Sequence, residues 1–242
     1  MSDECFRLPR LAGIYDTLHP DRSDLEPYLC LVQELEARRV LDIGCGTGVF
    51  ALLLAARGLE VVGVDPAEAS IDVARAKPGG NQVRWISGDA TALPQLAVDV
   101  ATMTANVAQA IVDPLMWRRT LHAAYQALQP GGHLVFETRN PAMRAWEEWD
   151  RAAPRRVTRM PGGGVVESWP EVTRVDLPLV TFRYTYVFVS DGQTLTSEST
   201  LRFREQEEVE ADLTAQGYEV TEVRDAPDRP DKEFVFIARR PA

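Results

Sequence analysis

The sequence is poor in the residues that staple small proteins or bind metals. It has three cysteines, Cys5, Cys30 and Cys45, and no CxxC pair. No disulfide framework is expected, and a chain of 242 residues can bury a core without one. The histidines His19, His122 and His133 are too scattered for a zinc site, so no metal is expected. No apolar run reaches the roughly 20 residues that span a bilayer. The opening MSDECFRLPR lacks the apolar stretch of a secretory signal. These features predict a cytoplasmic setting without a membrane partner. Positive charge is also scarce: 26 Lys and Arg against 36 Asp and Glu give a net charge of −10. A nucleic-acid partner requires a basic face, so none is expected, and the acidity favours solubility. Internal repeats and low-complexity tracts are lacking as well.

What is present is alternation. Residues 40–44 and 60–65 are short, apolar and rich in β-branched side chains, as buried parallel strands are. Between them VFALLLAARG reads as a helix ending on Gly58. AEASIDVARAK is a second helix, stopped at Pro78, Gly79 and Gly80, and QVRWISGD a third strand. VDVATMT is a fourth strand. A helix follows with Asp113 as its cap and Pro114 at its first position, and HLVFETR is a fifth strand. This order predicts a doubly wound parallel sheet with right-handed crossovers.

VLDIGCGTGVF places Gly44, Gly46 and Gly48 directly after the first strand. Ordered glycine costs backbone entropy, so the turn needs a reason. A phosphate loop requires GxxxxGK[ST], which the chain lacks. A dinucleotide fingerprint requires a third glycine where Val49 stands. What remains is Asp-x-Gly-x-Gly-x-Gly, with Asp42 inside the strand. Asp65, followed by Pro66, ends the second strand, where a carboxylate can accept from ribose hydroxyls or simply cap a helix. Asp89 follows the third strand and can accept from an adenine amino group, with capping again the alternative. All three acids fall at one carboxyl edge of one sheet.

With VVGVD, GDATALP, VDVATMTANVAQ and ALQPGGHLVFETR, the pattern resembles the class I S-adenosylmethionine-dependent methyltransferases, in their small-molecule branch. The resemblance covers residues 40–139. It implies a Rossmann-like, seven-stranded sheet in the order 3-2-1-4-5-7-6, strand 7 antiparallel, with YEVTEVR and EFVFIARR as strands 6 and 7. It implies S-adenosylmethionine as cofactor. Gly44, Cys45 and Gly46 would lie against its amino-acid part, and Asp42 would fix the turn and, partly through water, the ammonium. Asp65 and Pro66 would lie at the ribose, Asp89 and the Ala90 N–H at the adenine, and Thr104 beneath the sulfonium. LAGIYDTLHPDRSDLEPYL resembles the family's helical lid, with Tyr15 over the cofactor; Tyr15 could equally be a packing anchor. The expected organisation is a lid at 1–39, a cofactor-binding core at 40–140, an antiparallel β insertion at 141–204, and a helix with two strands at 205–242 that completes the sheet.

Catalytic roles are open. His133 starts the fifth strand, at the edge away from the ligand. His19 lies in the lid and can reach the site. Asn106, Gln109, Glu137, Arg139 and Asn140 follow strands four and five at the ligand edge, where they either meet substrate or tie loops to the sheet. Trp146 and Trp149 read as packing residues. In the insertion, RRVTRMPGGGVVESWPEV reads as loop with extended pieces, while TFRYTYVFV and QTLTSESTLRFR alternate around Asp191-Gly192. A two-residue turn there pairs Tyr186 with Ser197 and Tyr184 with Ser199, leaving room for a flat or polar acceptor. The insertion is also the surface through which the chain could self-associate. The expected function is methyl transfer to a small molecule. Alternatives are a protein or RNA methyltransferase and a non-catalytic S-adenosylmethionine-binding regulator.

Overall fold

Val40, Leu41 and Ile43 are buried on both faces of a strand, β1 (Arg39–Ile43), which makes β1 an interior strand of the sheet. A computed structural model describes residues 3–151 and 155–242. Around β1 lie β2 (Glu60–Asp65), β3 (Val83–Ser87), β4 (Val98–Met103) and β5 (Leu128–Arg139), all parallel. Four further strands, β6 (Arg156–Arg159), β7 (Val165–Asp176), β8 (Leu179–Phe188) and β9 (Thr194–Arg202), form a separate antiparallel meander. The chain then returns through helix Gln206–Ala215 to β10 (Glu219–Asp225) and β11 (Glu233–Arg239). The main sheet has seven strands in the order β10-β11-β5-β4-β1-β2-β3, and β11 runs antiparallel to both neighbours. The expected order and the single reversed strand are both present.

The helices close where their sequences say they should. Asp113 Oδ1 accepts from the Leu115 and Met116 N–H groups and caps helix Pro114–Ala127. Trp117 on that helix is buried edge-on against Phe136 of β5, and its indole N–H reaches Asp212. Among the described residues no helix is long and apolar enough to cross a membrane.

The insertion differs from expectation in two ways. The stretch read as loop is the β6–β7 hairpin, in register from Arg156 opposite Ser168 to Arg159 opposite Val165. Gly163 and Gly164, at φ +88° and +89°, make the turn. Pro170 hides the strand from a sequence reading. It is tolerated because β6 ends opposite Ser168, so β7 is an edge strand beyond that point and its missing N–H breaks no ladder bond. The second difference is register. Tyr186 meets Leu195, Tyr184 meets Ser197 and Phe182 meets Ser199, two residues away from the expected pairing. A two-residue turn needs positive φ at its first central position, and in type I′ at both, but here only the second residue, Gly192, has it, at +69°. Asp191 accepts from the Gln193 N–H instead, and the turn spans the residues between Phe188 and Gln193. A slip of two keeps each side chain on its expected face.

Candidate functional site

The carboxyl ends of β1 to β5 open into one cavity of about 960 Å³. Tyr15, Asp42, Gly44, Cys45, Gly46, Asp65, Pro66, Asp89, Ala90 and Thr104 all line it. So do His19, Asn106, Arg139, Tyr184, Tyr186, Ser197 and Ser199. Glu137 does not line it. A second depression of about 830 Å³, beside Arg118, Arg119 and His122, shares only Ala90 with this cavity.

The glycine turn is held from beneath. The Gly44 N–H donates to the Val64 carbonyl at 2.8 Å. Asp65 accepts from the Gly46 N–H through Oδ2 at 2.9 Å and from the Ala67 N–H through Oδ1 at 2.8 Å. Each oxygen keeps a lone pair for a further donor. Gly44 and Gly48 adopt φ +72° and +80°, and a Cβ on Gly48 would lie 2.5 Å from the Trp85 ring and 2.8 Å from Ala74 Cβ. Gly48→Ala therefore combines overpacking with left-handed strain and is expected to cost about 2–4 kcal/mol. Thermal denaturation should show a loss of about 5–15 °C. Gly46 shares the left-handed backbone, at φ +52°, but a Cβ there would meet nothing within 4 Å, and the residue lines the cavity. Gly46→Ala keeps the strain without the clash, so it should cost about 1 kcal/mol of stability and lose cofactor affinity, which calorimetry separates from the Gly48 effect.

Asp42 is fully buried, and burial pushes its carboxyl up to about 7, with Asp65 adding to the rise. Thr102 Oγ1 donates to its Oδ1 at 3.1 Å, while Oδ2 has no hydrogen-bond partner among the described residues. An orphaned acidic oxygen at a cavity wall suits a cationic ligand group. Asp89 is exposed and accepts from the Thr91 N–H and hydroxyl at 2.8 and 2.5 Å, so the capping role read as its alternative is present.

The N-terminal segment expected to form a lid, residues 1–39, begins with three short helices, Glu4–Arg7, Pro9–Ala12 and Tyr15–Leu18. Thr47 of the glycine turn donates to Asp16 at 2.6 Å, Lys77 donates to the Thr47 carbonyl at 2.6 Å, and Lys77 pairs with Asp16. This latch was not foreseen, since nothing local in the sequence relates its three residues. Tyr15 packs between Phe6 and His19 at centroid distances of 5.1 and 4.7 Å, so the packing alternative is realised at the cavity wall. Burial, with Arg156 and Arg22 nearby, lowers the His19 pKa.

Several residues after β4 and β5 do tie loops to the sheet. The Asn106 N–H donates to Glu137 Oε1 at 2.6 Å, and Asn106 Oδ1 accepts from Arg139 Nε at 2.9 Å. Gln109 Oε1 accepts from the Arg139 N–H at 3.2 Å. Ala105 and Asn106 sit at φ +60° and +67°, a strained pair kept in place by these bonds. Burial pushes the Glu137 carboxyl up to about 7. In the insertion, the Ser197 hydroxyl accepts from the Cys5 N–H at 2.9 Å, and the Ser199 hydroxyl donates to Asp3 at 2.5 Å. The serines thus dock the lid on the sheet. Trp146 is buried against Phe203, whereas Trp149 reaches the cavity beside Phe182.

Residues 40–132 match the family model of a methyltransferase domain. The chain is 37% identical over 117 residues to the ubiquinone biosynthesis O-methyltransferase of Idiomarina loihiensis, covering 46% of each protein. The chain thus spans less than half the length of the curated relatives it matches first. Its fold is shared more widely. The sugar N-methyltransferase of a Streptoalloteichus strain superposes with a TM-score of 0.78 at 20% identity, over 94% of this chain and 93% of that one. An S-adenosylmethionine-dependent methyltransferase of Clostridium acetobutylicum gives 0.75 at 17% identity, over 96% and 98%. Residues 40–132 thus match a methyltransferase domain, and the chain has the fold of the S-adenosylmethionine-dependent methyltransferases. The cofactor of that family is S-adenosylmethionine. Its fit here rests on the free Asp42 oxygen, the open face of Gly46 and the spare lone pairs of Asp65.

Proposed function

We propose that this chain methylates a small-molecule acceptor enclosed between the lid, the insertion and the carboxyl edge of the main sheet. The observation that carries this reading is the continuity of one cavity from Asp42 and Asp65 to the aromatic face of β8. Its volume of about 960 Å³ is at the top of the range of about 300–1,000 Å³ for small-molecule sites, enough for a cofactor and an acceptor together. When bound, the cofactor supplies a methyl group already activated on a cationic sulfur.

The protein's share is then placement and desolvation. Asp65 would hold the ribose, Asp89 with the Ala90 N–H the adenine, and Asp42 the ammonium. Arg22 lines the same end of the cavity, where its charge acts on Asp42, and would take the cofactor carboxylate. His19 is the proposed base. Its lowered pKa leaves the imidazole neutral at pH 7, able to accept a proton from an acceptor hydroxyl or amine. Glu137 is a positioning residue, since it holds Asn106 and does not line the cavity. Cys5, Cys30 and Cys45 are free thiols, which fits a cytoplasmic setting. The edge of β6 would allow two copies to pair.

Calorimetry tests the reading. S-adenosylmethionine should bind in the micromolar range, about −8 kcal/mol, and NAD should not bind, because Val49 fills the place of the third glycine. Equal binding of NAD would overturn the assignment. Cofactor binding without turnover on any of a broad set of acceptors would support a non-catalytic cofactor-binding protein instead.

A further inference from the structure

Away from the glycine turn, the cavity wall changes character. Trp149, Phe182 and Tyr184 form a run of rings, with Trp149 edge-on to Phe182 at 5.0 Å and Phe182 edge-on to Tyr184 at 6.1 Å. Pro170 of β7 stands opposite Tyr184 and lines the same wall. The Arg139 guanidinium is set among these rings. Its Cζ lies 5.2 Å from the centroid of Trp149, and its charge, after that of Arg156, acts on the Tyr184 phenol. Arg156 does not line the cavity and donates to the Leu18 carbonyl.

The partners of Arg139 leave half of it free. Its Nε donates to Asn106 Oδ1, and the nearest carboxylate, Glu233, lies 3.6 Å from the same nitrogen. Glu233 is closer to Arg229, at 2.5 Å. Among the described residues, nothing accepts from the two terminal nitrogens of Arg139. The side chain is largely buried, at 18% relative exposure, and it lines the cavity. Glu233 and Glu137 offset part of its charge, but the outer fork of this largely buried guanidinium keeps donors free for an anion. Arg22 and Arg229 also line the cavity, but Arg22 serves the Asp42 end and Arg229 is paired with Glu233 and Asp228.

Resting on the methyl-transfer reading above, we infer that the acceptor is an aromatic carboxylic acid. Its carboxylate takes the outer fork of Arg139, and its ring lies along Trp149, Phe182 and Tyr184. A planar fork matches a carboxylate in two parallel hydrogen bonds. The flat walls match a ring, and a lone free guanidinium suits one negative charge better than the two of a phosphate monoester. Arg139 is thereby a specificity residue at the end of β5. Its Nε and backbone N–H fix it to the loop after β4, so the anion is held in register with the residues around Thr104.

The test uses the full chain saturated with S-adenosylhomocysteine, titrated with 4-hydroxycinnamate, 4-hydroxyphenylacetate and the primary amide of each. The acids should bind at least tenfold more tightly than their amides. Arg139→Gln should abolish that ratio while cofactor affinity stays within about twofold, and Arg139→Lys should give an intermediate ratio. The ratio is the readout because general damage to the loop would weaken acid and amide alike. Equal binding of acid and amide, survival of the preference in Arg139→Gln, or no acid binding to a chain that holds S-adenosylhomocysteine each overturns the inference. Failure to bind S-adenosylhomocysteine overturns the methyl-transfer reading beneath it and is seen before any acid is added.

Discussion

Asp65→Ala is expected to weaken S-adenosylmethionine binding by about 1.5–3 kcal/mol, or roughly 10- to 150-fold. Two losses combine. Hydroxyls donated to a buried, charged acceptor are worth more than neutral pairs, and alanine accepts neither ribose hydroxyl. The Gly46 N–H also loses its acceptor, so the turn under the cofactor's amino-acid part is released. Asp65→Asn separates the two. Its amide oxygen can still accept from one of the two N–H groups, so the fold should be kept better while the charged acceptor is gone. Calorimetry on both variants, with thermal denaturation to show that they fold, reads the difference. Unchanged affinity in a folded Asp65→Ala would sink the ribose assignment. A fall in stability alone would make Asp65 a clamp for the turn and nothing more.

The turn and its acids were legible because each signal is local. Three alternate glycines after a buried strand, and an acid at the end of each of the first strands, need only a few residues to be read. The lid contacts carry no such signal. Asp16 and Thr47 are 31 residues apart, and Cys5 and Ser197 are 192 apart, so no periodicity relates them. The serines of β9 looked like vacant space beside tyrosines, since nothing local to β9 shows that the Cys5 N–H and Asp3 meet them. The β6–β7 hairpin was obscured by Pro170 and three consecutive glycines, which read as loop unless one knows that β7 is an edge strand there. Asp191-Gly192 fits both a two-residue turn and a longer one. The Asp191 carboxylate decides between them by accepting from Gln193, a choice that does not show in residue type. Arg139 was visible as a residue at the correct sheet edge. Its free fork, which gives it a role, depends on how Asn106, Glu233 and Arg229 share their bonds.

Cofactor affinity should rise about tenfold per pH unit below about pH 7 and level off above it, with Asp42 as the group responsible. The sign follows from the direction of its shift. Burial and the neighbouring Asp65 hold the Asp42 carboxyl protonated up to about 7, well above the ordinary value of about 4. An ammonium brought to the free Oδ2 favours the carboxylate and lowers that pKa. Binding below pH 7 must then expel a proton, and the cost of expelling it grows as the pH falls. The same raised pKa means that the ligand-free chain loses stability as the pH climbs from about 4 to about 7, because the unfolded chain releases this proton near 4 while the folded chain holds it up to about 7. Calorimetry in buffers of different ionisation enthalpy should count nearly one proton released at pH 6 and close to none at pH 8. Asp42→Asn fixes the neutral form, so its affinity should be low and flat with pH. If the slope survives in Asp42→Asn, the proton leaves another group and the Asp42 carboxylate does not meet the ammonium. Asp65 can imitate the effect, because burial raises it too, and Asp65→Asn measured in the same buffers assigns the proton to one carboxylate or the other.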